Sequence, residues 1–159
     1  MTLPSTLPSG HPRQRGFTLI ELMVVVSLLA LMLGIGIPSF RNFMETQRVK
    51  TAGSDFATAL LVARSEAIKR NTTVTIAPVG TGWTTGWTVT GGGATLATQQ
   101  ALGGVTVTTT PDPTASVVYQ GNGRIASTLT FQFSGGNTSS VRCVSINVSG
   151  VPNTTSRNC

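Results

Sequence analysis

The strongest pattern in the chain is an apolar block. From Phe17 to Phe40 the residues are almost uniformly hydrophobic or small, and Glu21 is the single charged member. A helix over this block extends roughly 36 Å at 1.5 Å per residue, enough to cross a hydrocarbon layer of about 30 Å. Beyond it the pattern becomes a helical alternation. Phe56, Leu60, Ala63 and Ala67 recur at spacings of four, three and four, while Asp55, Arg64, Glu66, Lys69 and Arg70 occupy the other faces. The spacing predicts one helix from about Phe17 to Arg70, with its second half laid against a sheet and Asn71 as its terminator. Gly34, Gly36 and Pro38 weaken it near the end of the apolar block, because glycine is a poor helix former and proline lacks the backbone donor. Either a kinked, loosened helix or a simple break is expected there.

After Asn71 the period changes to two. Alternating runs at Thr73–Val79, Gly86–Thr90, Gly104–Thr109, Leu129–Phe133 and Val141–Val148 predict strands, the last with Val144, Ile146 and Val148 in phase. Turns are expected at Gly91-Gly92-Gly93, Pro111-Asp112-Pro113, Gly121-Asn122-Gly123 and Gly135-Gly136-Asn137. The stretches Gly80–Thr85 and Gly91–Thr98 are expected as Thr-rich loops. Together these elements give an α+β domain, an antiparallel sheet wrapped against a helix.

Charge sharpens this picture more by its placement than by its total. The formal net charge is +6, yet Arg13 and Arg15 precede the apolar block and six further cations lie between Arg41 and Arg70. After Asn71 only Arg124, Arg142 and Arg157 stand against Asp112. The high pI therefore reports mainly on the residues before the apolar block and on the helix, and is weaker evidence for a nucleic-acid-binding face than the total suggests. Arginines immediately before an apolar span hold that end in the cytoplasm, so the rest of the chain is expected on the far side of the membrane.

Catalysis finds no equipment here. The one histidine, His11, precedes the apolar block, and Asp112 is the only acid beyond Asn71, so no carboxylate pair, nucleophile–histidine set or metal cluster assembles. No cofactor or metal is expected. Cys143 and Cys159, the only two cysteines, are expected to be joined in an exported chain, a closure that contributes about 3 kcal/mol. Glu21 stands out on physical grounds alone, because a carboxylate in an apolar helix costs about 2.5–3.5 kcal/mol at the membrane centre and less near an end. It either snorkels to the interface or takes a cationic partner.

The segment Gly16-Phe17-Thr18-Leu19-Ile20-Glu21 resembles the cleavage and methylation motif of type IV prepilins. The resemblance implies that a prepilin peptidase cuts after Gly16 and methylates the amine of Phe17. It further implies that Glu21 pairs with the amine of a neighbouring subunit during assembly, and that Pro38 is the helix-loosening proline. The run Ala63 to Asn71 and the later Trp83…Gly86-Trp87 resemble the helix end and the W-x-x-G-W element of FimT/GspH-type minor pilins and pseudopilins.

That family implies the type IV pilin fold in four segments: a leader over residues 1–16, a transmembrane segment over 17–40, an amphipathic segment over 41–71 and a β-rich domain over 72–159. The implied function is a structural subunit at the tip of a type IV pilus that helps initiate assembly, with other minor and major pilins as partners. The implied location is the inner membrane, then the filament tip, with the β-rich domain periplasmic. Two alternatives accompany it, a GspH-type pseudopilin of type II secretion and a DNA-binding minor pilin for uptake. The DNA-binding members carry a glycine-arginine-any-arginine motif near the C-terminus. Here the corresponding stretch reads Gly150-Val151-Pro152-Asn153, which lacks both arginines and leaves Arg124, Arg142 and Arg157 as the candidates for phosphate contact.

Overall fold

The computed structural model describes residues 16–113, 115–136 and 139–159. Residues 1–15 of the expected leader and the Asn137 member of one expected turn lie outside the described residues. Helix α1 covers Leu19–Arg70. It continues through Gly34, Gly36 and Pro38, so of the two expectations for that stretch the simple break is not what forms. The chain divides after Pro38 into two compact units.

In the first unit no described residue covers the apolar side chains. From Phe17 to Ile37 each described large apolar residue is at least 45% exposed. Ser27 turns its hydroxyl back onto the Met23 carbonyl at 2.8 Å, which satisfies it within the helix and leaves the surface apolar. One helix in the described chain is thus long and apolar enough to cross a membrane.

The second unit packs the remainder of α1 on eight strands. They are β1 Val74–Pro78, β2 Trp87–Gly91, β3 Ala94–Gln99, β4 Val105–Thr110, β5 Val117–Tyr119, β6 Leu129–Gly135, β7 Val141–Ile146 and β8 Pro152–Thr155. The strands form two four-stranded antiparallel sheets, ordered β3-β2-β1-β5 and β4-β6-β7-β8, where the sequence suggested one. Gly91–Thr98, expected as a loop, is the end of β2, a two-glycine turn and most of β3. Val148 leaves the phase of β7 because the chain turns at Asn147–Gly150, and it is exposed.

Phe56 is where the sheets meet. Fully buried on α1, its ring lies 5.4 and 5.0 Å from Trp83 and Trp87 beside the first sheet, and 4.5 and 5.5 Å from Phe131 and Phe133 of the second. The helical stripe Phe56, Leu60, Ala63 and Ala67 is wholly inaccessible, and Val49 and Ala52 extend it by two further turns. Alanines let the sheets approach the helix closely, and the rings fill the space left between them.

The end of α1 is fastened by a local motif. Asn71 adopts φ 47°, its N–H bonds the Ile68 carbonyl and the Thr72 N–H bonds the Ala67 carbonyl, both at 3.2 Å. These two bonds satisfy carbonyls the helix would otherwise leave open, in the Schellman arrangement. Glycine is needed just beyond: a Cβ on Gly150, at φ 77°, would collide with the Gly123 carbonyl. Tyr119, the only tyrosine, donates from within this cluster to the Gly150 carbonyl at 3.0 Å.

Burial pushes the Tyr119 phenol up to about 12 from its usual 10. The fold therefore favours the neutral form, so the stability this brings is complete below pH 10 and is lost as the pH rises toward 12. Tyr119→Phe is expected to cost about 1 kcal/mol at pH 7 by removing the hydrogen bond. Between pH 10 and 12 the gap to the wild type should close, which denaturation curves at pH 7 and 11 will read.

Candidate functional site

The site is a segment, not a pocket, and it begins where α1 begins. Thr18 is the residue before the helix. Its side-chain oxygen accepts the Glu21 N–H at 3.2 Å while its carbonyl accepts the Leu22 N–H, also at 3.2 Å. Threonine followed three residues later by glutamate is the spacing of a capping box, a signal that the sequence itself carries and that the motif resemblance does not use. The cap fixes the first helical residue at Leu19, so Glu21 falls in the first turn, where the helix dipole favours a negative charge. Gly16 and Phe17 precede the helix in chain without regular secondary structure, and Phe17 is 78% exposed. A peptide bond after Gly16 is thereby held outside helical hydrogen bonding, next to a carboxylate one turn in.

The arginines are placed quite differently. The stem of Arg142, on β7, lies against Gly53 of α1, its Nε is buried and its guanidinium donates to the Ser156 hydroxyl. Arg124 is exposed on a turn whose Gly123 sits over Ile68, with the Gly123 carbonyl accepting Arg64 Nε at 3.1 Å. Gly53 and Ile68 are about 22 Å apart along the helix. Arg157 is exposed near Ser156, so it shares a neighbourhood with Arg142 and not with Arg124. The structure does not bring the three together.

Cys143 and Cys159 are bonded, with Cα atoms 5.3 Å apart. Cys143 is buried on β7 and pairs in register with Thr155 of β8, and the Cys159 N–H reaches Gln132 of β6 at 3.1 Å. The tail is thus folded back across the second sheet. Replacing both cysteines by serine is expected to lower stability by about 2–4 kcal/mol. Denaturation midpoints of the variant and of the wild type under reducing conditions should then coincide.

Residues 52–150 match the family model described as Type II transport protein GspH, most of the β-rich unit together with the helix that supports it. This chain belongs to the GspH family. Residues 11–37 also match the prokaryotic N-terminal methylation motif, which implies processing by a prepilin peptidase and association with other pilins. The GspH-family chain is 30% identical over 107 residues to prepilin peptidase-dependent protein D of Escherichia coli K12, covering 62% of this chain and 73% of that one. It is 45% identical over 42 residues to the type IV major pilin protein PilA of Myxococcus xanthus, a match that spans 26% of this chain and 19% of PilA. A crystal structure of the type IV minor pilin FimU of Pseudomonas aeruginosa superposes with a TM-score of 0.60 at 20% identity, over 73% of this chain and 92% of FimU. The fold is the type IV pilin fold.

The GspH-family chain is therefore a minor pilin or pseudopilin, of a type IV pilus or of type II secretion, and such subunits are structural proteins, not enzymes. Its geometry explains the W-x-x-G-W element without a ligand. Trp83 opens a 3-10 turn that ends at Thr85, and Gly86 follows at φ 99°, where a Cβ would strike the Gln99 carbonyl. The turn sets both tryptophan rings edge-on to Phe56. The motif is a core device.

Proposed function

We propose that the mature chain, cut after Gly16 and methylated on Phe17, is held in the inner membrane by residues 17–40 with its β-rich unit in the periplasm. From there it joins the tip of a type IV pilus, where it helps initiate the filament with other pilins. One observation carries this reading. From Phe17 through the first half of α1 the apolar side chains are covered by no described residue, and the single carboxylate among them stands in the first turn beside the proposed cleavage point. Membrane lipid covers such a surface before assembly and neighbouring helices cover it afterwards, when Glu21 meets the amine of an adjacent subunit.

The likeness to FimU, a type IV minor pilin, favours the pilus over the type II pseudopilus as the destination. DNA capture has less support, because Arg142 is committed to Gly53 and Ser156 and Arg124 stands apart. Gold-labelled antibody against the β-rich unit, applied to sheared filaments, is expected to mark one end only. Label spread along the filament would contradict the tip assignment.

A further inference from the structure

Two stretches of the β-rich unit have no part in the N-terminal site: the Thr-rich segment Gly80–Thr85 and the turn Pro111-Asp112-Pro113. The fold brings them together. They border one hollow of about 410 Å³, which opens where the two sheets part, between the end of β1 at Pro78 and the edge strand β4 at Val107 and Thr109. That volume lies inside the range of roughly 300–1,000 Å³ typical of small-ligand sites. None of the residues described around it belongs to α1, so an occupant leaves the helix free.

The walls are set before any ligand arrives. The Thr85 hydroxyl is shared between the Val79 and Gly82 carbonyls, and the Val79 N–H reaches the Gly86 carbonyl at 2.9 Å, which closes the first segment on itself. The Thr84 side-chain oxygen accepts the Val107 N–H at 3.3 Å and the Thr84 carbonyl accepts the Leu102 N–H at 2.9 Å, which fastens that segment to β4 and to the chain leading into it. Trp83 forms the floor, only 6% exposed. Among the described residues Thr109 is the one buried serine or threonine, and its hydroxyl donates to Asp112 Oδ1 at 3.2 Å. A buried hydroxyl thus orients the only acid beyond Asn71 at the mouth of the hollow.

Charge narrows the ligand from both sides. Asp112 is the one charged residue described around the hollow and disfavours anions, whereas the chain as a whole carries +6 and repels cations at long range. A metal ion lacks side-chain ligands, because no group of three or more His, Cys, Asp or Glu side chains is present among the described residues. A neutral molecule remains. A carboxylate offers about four acceptor positions and Thr109 takes one, so a ligand that fills the others brings adjacent hydroxyl donors. Around the carboxylate, Pro78, Val107, Pro113 and Ala115 present only C–H surface. Hydroxyls along the edge and C–H groups on the face are the chemistry of a sugar ring.

We propose that this hollow binds a neutral saccharide, with neighbouring ring hydroxyls donating to Asp112 and the C–H face of the ring lying on the aliphatic lining. The inference goes beyond the assembly reading above and does not depend on it.

The test is a titration of the full-length chain, held in a detergent without a sugar headgroup and followed by tryptophan emission, since Trp83 is one of only two tryptophans. Maltose, lactose, cellobiose and diacetylchitobiose are the neutral probes, with the free-amine chitobiose as the cationic and digalacturonate as the anionic comparison. At least one neutral probe is expected to bind, and neither charged one. Asp112→Asn keeps an oxygen for Thr109 and is expected to weaken binding about ten-fold or more, as loss of hydrogen bonds to a charged acceptor does. Gly82→Leu should abolish it by occupying the space, because Gly82 lines the hollow in extended backbone at φ −178° and a Cβ there meets nothing within 4 Å. Neither change disturbs the core, so both denaturation midpoints should equal that of the wild type. A lowered midpoint in both variants would make the hollow a structural joint and overturn the site. Failure of every neutral probe to bind overturns the proposal, and so does binding that both variants retain. Binding of a charged probe alone overturns the neutral class.

Discussion

Glu21→Ala should leave the chain inserted in the membrane and cut after Gly16, yet nearly absent from filaments. Removing one partner of a buried ion pair costs about 3–5 kcal/mol, because the other charge stays buried without compensation. On the proposed assembly that other charge is the methylated amine of a neighbouring Phe17. An equilibrium shift of that size exceeds a hundred-fold, so the expected loss is large. Before assembly Glu21 sits near the end of the span, where an acid is tolerated far better than at the centre. The substitution therefore acts on the assembled state more than on the membrane-held one. Glu21→Gln tests whether charge is what matters: it keeps the shape and should still fail. Quantitative immunoblots of sheared filaments against whole membranes give the ratio directly. An alanine variant recovered in filaments at the wild-type ratio contradicts the pairing and leaves the carboxylate as a group that merely reaches the interface.

The second large effect concerns stability. Phe56→Ala removes the side chain that touches both sheets, and deletion of a buried phenylalanine costs about 3–5 kcal/mol. Domains of this kind are stable by about 5–15 kcal/mol in total, so the loss is a large share. The neighbouring rings raise it toward the upper end. Four of them lie within 5.5 Å, and Trp83 also packs on Phe131 at 4.9 Å, so collapse into the gap is resisted by rings held on two different sheets. The only two tryptophans flank the position, which makes their fluorescence a direct reporter during denaturation of the detergent-solubilised chain. A midpoint shift corresponding to less than about 1 kcal/mol would mean that Phe56 is not the residue tying the sheets together.

Much of this fold is legible in the sequence because two periods are clean. Phe56, Leu60, Ala63 and Ala67 mark the buried face of α1, and all four are inaccessible. The alternations Val74/Ile76, Trp87/Val89, Leu129/Phe131/Phe133 and Val144/Ile146 mark strands whose inner face is buried. The missed strands lack that signal for identifiable reasons. β3 is an edge strand with Leu96 as its one large apolar residue and no fully buried position, β5 has three residues, and β8 begins at Pro152. The division into two sheets is illegible because it depends on which strands pair at a distance, such as β1 with β5, and no local period encodes that.

The candidate site divides in the same way. The Thr18–Glu21 cap depends on adjacent residues, so its spacing is visible in the chain. The fate of Arg142 depends on Gly53, far away in sequence, whose missing side chain makes room for the arginine stem. Counting C-terminal cations says nothing about such a contact.

The central claim is that this chain is processed into a subunit whose first residue is Phe17. Mass spectrometry of the chain purified from membranes of its own host measures that directly. The account predicts a mature N-terminus at Phe17 carrying a methylated amine, with Glu21 as the fifth residue. A mature chain that retains the residues before Gly16, or one cut on the far side of the apolar block, would contradict it.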